Sequence, residues 1–189
     1  MPMTITEALA EIKTIGKRLE KKRQAVIDNL GRDSRLKDPL ADGNGMTSVK
    51  FVSTERQAIS DLEKRVVAIR TAIQASNLTT RCKVGEQDMP VQDWLNFRRE
   101  ISVGRQHFLM QLNQSIKNLR AQTQAKGGKV TFAGVAQQTN VTTGDQQPVE
   151  VLLNLNEREL LTEQEQLEQT LGELDGKLSL LNATTVIEV

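Results

Sequence analysis

Few residues of this 189-residue chain could form a reactive centre. Cys82 is the only cysteine and His107 the only histidine. A thiol nucleophile needs a base to draw off its proton, and no other imidazole could serve Cys82. Nothing in the sequence supplies a third group to activate such a pair, so both residues read as structural. One histidine also gives no metal cluster, because coordination takes several converging ligands. Glu163, Glu165 and Glu168 are close enough in sequence to suggest acid–base work, but at helical spacing they read as a solvated flank. Gly127-Gly128 lacks the pattern of a phosphate-cradling loop. No catalytic residue, no metal and no cofactor is expected.

Two basic runs could meet phosphate: Arg81 to Lys83, and Lys17 to Arg23 with Lys17, Lys21, Lys22 and Arg23 as a candidate basic surface. Glu20 interrupts the second run. Aromatics make up 3% of the chain, which leaves little to stack bases on. Nucleic acid is therefore the second choice of partner. Net charge is +1 but unevenly spread. Residues 1–37 carry nine basic and five acidic side chains, and residues 150–189 carry two and nine. The first and last helices are expected to attract one another, within one chain or between copies.

The elements that position these residues are helical. Leu160, Gln164, Leu167, Leu171, Leu174, Leu178 and Leu181 recur at alternating steps of four and three, the spacing of a seam that lies along other helices. Ile12, Ile15 and Leu19 belong to a similar stripe on a first helix, entered through a Thr4–Glu7 capping box. Lys22 breaks that stripe, and a polar seam residue can set register or partner number. Gly16, Gly172 and Gly176 inside these helices suggest close approach of another backbone. Residues 32–50 read as a long interaction loop around Pro39, Gly43, Asn44 and Gly45. Ser53 or Thr54 then caps a second helix. A strand over Thr79 to Val84 ends at Gly85, and a third helix presents Trp94, Ile101, Phe108, Leu112, Ile116 and Leu119.

The spacing predicts a mainly α protein: an elongated antiparallel helical bundle or coiled coil with a small β appendage. A helical body over residues 1–125 holds helices at about 5–30, 54–76 and 90–124. Short strands or a hairpin follow over 126–153, with the Gln/Thr/Asn-rich middle as an exposed tip. Residues 154–189 form the acidic leucine-seam helix, packing back on the body, and a terminal strand that can pair with the 129–151 strands of the same or a neighbouring copy. The start of the chain lacks the pattern of a signal peptide, no apolar run approaches a membrane span, and one cysteine suits a reducing compartment. A cytoplasmic or virion location is expected.

The stretches EALAEIKTIGKRLEKKR, IQASNLTTRCKVGEQDMPVQDWLNFRRE and GELDGKLSLLNATTVIEV resemble an uncharacterised bacterial and phage-borne family of helical proteins sometimes labelled septicolysin. In the middle stretch Asn77, Thr79, Thr80 and Gly85 stand where that family has its Asn/Thr segment and Gly turn. Near the end Glu173, Leu174, Asp175, Leu178 and Asn182 match its tail, with Ala183 where an aromatic is usual. The resemblance implies an all-helical fold and oligomerisation, and no activity. The function expected is that of a non-enzymatic structural or assembly protein that forms homo-oligomers through its helical seams and short strands and contacts other proteins, as a component or assembly factor of a phage or virion particle. A nucleic-acid-binding or regulatory module using the first helix is the alternative.

Overall fold

The computed structural model describes residues 2–41, 46–134 and 150–189. The order is β1 (Pro2–Thr4), α1 (Ile5–Asp28), α2 (Ser48–Thr79), β2 (Arg81–Val84), β3 (Gln87–Pro90), α3 (Val91–Asn96), a π turn (Phe97–Ile101), α4 (Ser102–Ala125), β4 (Lys129–Phe132), β5 (Glu150–Leu153), α5 (Glu157–Thr184) and β6 (Val186–Glu188). The protein is mainly α, with three two-stranded sheets among the described residues. It divides into two compact units. One joins residues 1–81 to 177–189, and the other is residues 82–176.

In the first unit α1 starts as its sequence requires. Thr4 Oγ1 accepts from the Glu7 amide at 3.2 Å, and the Glu7 carboxylate accepts from the Thr4 amide at 2.7 Å. The reciprocal cap satisfies two of the backbone donors that a helix start leaves open. Helix α2 begins at Ser48, not near Ser53 or Thr54, because Thr47 Oγ1 already accepts from the Lys50 amide at 3.2 Å. The expected long loop is shorter by that much, and its Gly43, Asn44 and Gly45 lie outside the described residues. Ile5, Ala8 and Ile15 of α1 pack with Ile69 of α2 and Ile187 of β6, and Ile12, Leu19, Leu62, Val66 and Ile73 border them. Glu11 to Arg65 and Lys22 to Glu55, both at 2.9 Å, set the two helices antiparallel.

The terminal strand forms, but not where expected. It pairs antiparallel with β1, Met3 opposite Ile187, and not with residues 129–151. Ile187 points into the α1–α2 core at 5% exposure while Val186 and Glu188 face out, so period-two alternation decides the placement.

In the second unit β2 and β3 join through the two-residue turn Gly85-Glu86. Gly85 has φ +56°, the left-handed region where a side chain is strained. Strand β3 runs into Pro90, which is the residue before α3, so the third helical run begins at Val91. Strands β4 and β5 pair in parallel, Lys129 opposite Glu150 and Phe132 opposite Leu153, so they are not a hairpin. A parallel pair needs a long return path, and residues 133–149 lie between them. The expected Gln/Thr/Asn-rich tip lies outside the described residues.

The third helical run is interrupted by the π turn. Of its expected apolar face Trp94 and Ile116 are buried and Leu112 and Leu119 half-buried, but Ile101 and Phe108 turn outward. Ile101 and Phe108 are each 57% exposed, while Ser102 and Leu109 are each 2% exposed. One extra residue in a turn rotates everything after it by about 100°. Beyond the turn the buried line is Ser102, Leu109, Ile116 and Thr123, at intervals of seven. It packs with Leu160 and Leu167 of α5 and Leu153 of β5. The buried Ser102 hydroxyl donates to the Arg98 carbonyl at 2.8 Å, so no polar atom is stranded there.

Candidate functional site

The seam residues do what their spacing requires. Leu160, Leu167, Leu174 and Leu178 are at most 6% exposed, Ile15 is 3% exposed, and Leu171, Leu181, Ile12 and Leu19 are half-buried. Each fully buried leucine contributes roughly 1.5–3 kcal/mol. These side chains are covered within a single chain.

The candidate basic surface splits. Lys22 is half-buried against Glu55, and Arg23 reaches Glu63 at 2.6 Å. Lys17 and Lys21 are exposed and make no ion pair among the described residues. The interruption at Lys22 is therefore an ion pair between α1 and α2. Arg98 reaches Asp175 at 3.1 Å, Arg105 reaches Glu163 at 3.5 Å, and Arg120 pairs with Glu157. Asn113 donates to Gln164, the polar member of the leucine seam, at 3.4 Å. The basic first helix thus finds acids on α2, and the acidic last helix finds bases on the π turn and α4.

Two clefts are lined by residues that the spacing did not single out together. The first, about 600 Å³, lies at the end of the α1–α2 pair. Leu30, Val49 and Val52 give it apolar walls, and Arg32 and Arg56 give it positive charge. Leu30 and Val49 are each 78% exposed, and nearby in sequence Leu36 is 66% and Ile27 62% exposed. The loop beside it is held by Asp38. That carboxylate accepts from the Ser48 hydroxyl, from the Ser48 amide at 2.8 Å and from the Leu40 amide at 3.0 Å, with Arg32 at 3.9 Å. The Ser48 hydroxyl first, then its amide, hold the Asp38 pKa down to about 2. The Arg65 guanidinium of α2 likewise holds the carboxyl of Glu11 on α1 below its usual range, and the Thr4 cap does the same for Glu7.

The second cleft, about 580 Å³, lies among the β2–β3 turn, Trp94, Phe97, Arg105 and α5. Trp94 is 1% exposed, donates from Nε1 to the Cys82 carbonyl at 2.7 Å and meets Phe97 edge to face at 5.7 Å. Its carboxylates include Glu163, paired with Arg105, and Glu173, whose oxygens accept from the Gly85 amide at 3.3 and 3.4 Å. Ten residues separate them along α5, roughly 15 Å at 1.5 Å per residue, beyond the spacing of a paired-carboxylate hydrolase. Glu165 and Glu168 point to solvent from the same helix. Cys82 is buried on β2, and His107 is exposed on α4. Among the described residues no three His, Cys, Asp or Glu side chains gather as metal ligands, and no helix is long and apolar enough to cross a membrane.

Among the described residues no backbone of the same chain makes the expected close approach at Gly16, Gly172 or Gly176. A Cβ added at any of them would meet nothing within 4 Å. The two clefts went unseen because their walls come from segments far apart in sequence. Exposed Leu30 and Val49 were the one local signal, as apolar residues off any stripe.

No protein-family model and no curated protein matches the sequence. Among solved structures the chain is similar, at 14% identity and a TM-score of 0.48 over 100% of both chains, to one described as the crystal structure of a functionally unknown conserved protein from Corynebacterium diphtheriae.

Proposed function

We propose that this protein is a non-enzymatic assembly protein that works by associating with copies of itself and with other proteins, as a component or assembly factor of a particle such as a phage virion. The observation that supports this reading is the apolar cleft at the end of the α1–α2 pair. With the unit's core filled by Ile5, Ala8, Ile15, Ile69 and Ile187, the large side chains of Leu30 and Val49 still stand 78% exposed. Such grouped exposed apolar surface marks an interaction site more often than scattered single residues do. An elongated, coiled-coil-like body and kinship with the septicolysin-labelled helical proteins are parts of the same proposal. The direct test is molar mass by light scattering over a concentration series. A defined oligomer or a growing polymer is expected. A monomer at every concentration overturns the self-association.

Nucleic-acid binding through α1 is the weaker reading. Of the four candidate residues Lys17, Lys21, Lys22 and Arg23, the last two are held in ion pairs with α2, which leaves Lys17 and Lys21 for phosphate. It predicts binding that falls steeply with salt and is lost when Lys17 and Lys21 are neutralised.

A further inference from the structure

The two units carry opposite charge. The unit made of residues 1–81 and 177–189 holds sixteen Lys and Arg against eleven Asp and Glu, net +5. The unit of residues 82–176 holds nine against thirteen, net −4. The overall +1 conceals this division because the ends of the chain belong to one unit and its middle to the other. Each unit also presents one face whose chemistry matches the other's. On the positive unit that face is the cleft, with Leu30, Val49 and Val52 as apolar contacts and Arg32 and Arg56 beside them. Arg56 is exposed and has no ion-pair partner among the described residues. On the negative unit it is an outer stripe of α5. Leu161, Glu165, Glu168 and Gly172 follow at steps of four, three and four, so they share one side of the helix. Leu161 is 53% exposed. Glu165 and Glu168 have no ion-pair partner among the described residues, and Glu168 receives only a 3.5 Å hydrogen bond from its neighbour Gln164.

We infer that the α1–α2 cleft of one copy receives the Leu161–Glu165–Glu168 stripe of α5 from a second copy. Leu161 enters between Leu30 and Val49, and the two carboxylates meet Arg56 and Arg32. Opposed charge steers this encounter and sets its register, while the buried leucine contributes most of the affinity. The contact joins two different faces, so each copy keeps one free cleft and one free stripe. Such a head-to-tail contact builds a ring if its rotation closes and a filament if it does not, as suits an assembly component. The inference rests on the self-association proposed above and adds its surface and geometry.

The test is sedimentation velocity and light scattering of the full chain at about 50 mM and about 500 mM salt, since a Debye length shrinks from above ~10 Å to a few ångström over that range. Wild type is expected to associate at low salt and weaken at high salt. Arg56→Glu, or Glu165→Lys with Glu168→Lys, is expected to weaken association at least about tenfold, equivalent to about 1.4 kcal/mol. Circular dichroism of each variant checks that the fold is kept. An equimolar mixture of the two reversed proteins is expected to recover binding, because each reversed cleft then meets a reversed stripe. Association of wild type that neither reversal changes overturns this contact and leaves self-association standing. A monomeric wild type overturns both. Retention of a short single-stranded DNA by wild type, lost in Arg56→Glu while self-association is unchanged, assigns the cleft to nucleic acid and also overturns the contact.

Discussion

Replacing Leu109 and its neighbour Phe108 by alanine, separately, tests the phase of α4. Leu109 is 2% exposed in the α4–α5 core, and Phe108 is 57% exposed. Leu109→Ala removes three buried carbons, about 2.4 kcal/mol of transfer free energy at about 0.8 kcal/mol each. The cavity left behind raises this to about 3–4 kcal/mol, within the range seen for buried leucines. Phe108→Ala removes a larger side chain from a mostly solvated site and is expected to cost about 1 kcal/mol or less. For a chain of this size 1 kcal/mol moves the melting temperature by about 2–4 °C, so the two variants should melt about 6–16 °C and at most a few degrees below wild type. Thermal and urea unfolding followed by helix circular dichroism would measure both. The ranking is the point of the experiment. An uninterrupted α-helix from Pro90 would turn Ile101 and Phe108 inward, and Phe108→Ala would become the costly change. Equal or greater destabilisation by Phe108→Ala would refute the π-turn phase shift.

Ile187→Ala should destabilise by about 2–4 kcal/mol although β6 is only a short strand, since the Ile187 side chain fills the α1–α2 core at 5% exposure; urea unfolding would show it, and a neutral result would remove β6 from that core. Gly16→Ala should stabilise by about 0.5–1 kcal/mol, because the helix gains propensity and the new methyl meets nothing within 4 Å; a lower melting temperature would contradict the open surface there. The folded Asp38 pKa lies below its ordinary value of 3.8, so its hydrogen bonds to Ser48 and Leu40 stabilise the loop above about pH 4 and are lost as pH falls towards 2. The Asp38 carboxyl carbon, followed by NMR, should titrate near 2, and Asp38→Asn should remove that acid-dependent step; a midpoint near 4 would show that the staple does not hold.

The helical class was legible in the sequence because it depends on local rules. Thr4 and Glu7 can cap each other from three residues apart whatever surrounds them. The leucines of α5 share one side at any helix's geometry, and those of α1 likewise, so their burial follows from spacing. Lys22 showed as a polar break in a stripe, but its partner Glu55, 33 residues away, did not. Pairing across such separations depends on which segments fold back on which. For the same reason the terminal strand was visible as a strand while its mate, Pro2–Thr4, was not, and the strands after Lys126 were visible while their parallel direction was not.

The sequence by itself determined the helices, the cap of α1 and the buried stripes of α1 and α5, since each follows from 3.6-residue periodicity and short-range hydrogen bonds. Tertiary structure alone decided three things. The π turn moved the inward face of α4 from Ile101 and Phe108 to Ser102 and Leu109, because a one-residue insertion is a packing choice that no propensity announces. The joining of both chain ends into one unit divided a nearly neutral chain into a positive and a negative half. The return of α2 along α1 set Leu30 beside Val49 and Arg56, making a cleft from residues that sequence distance keeps apart.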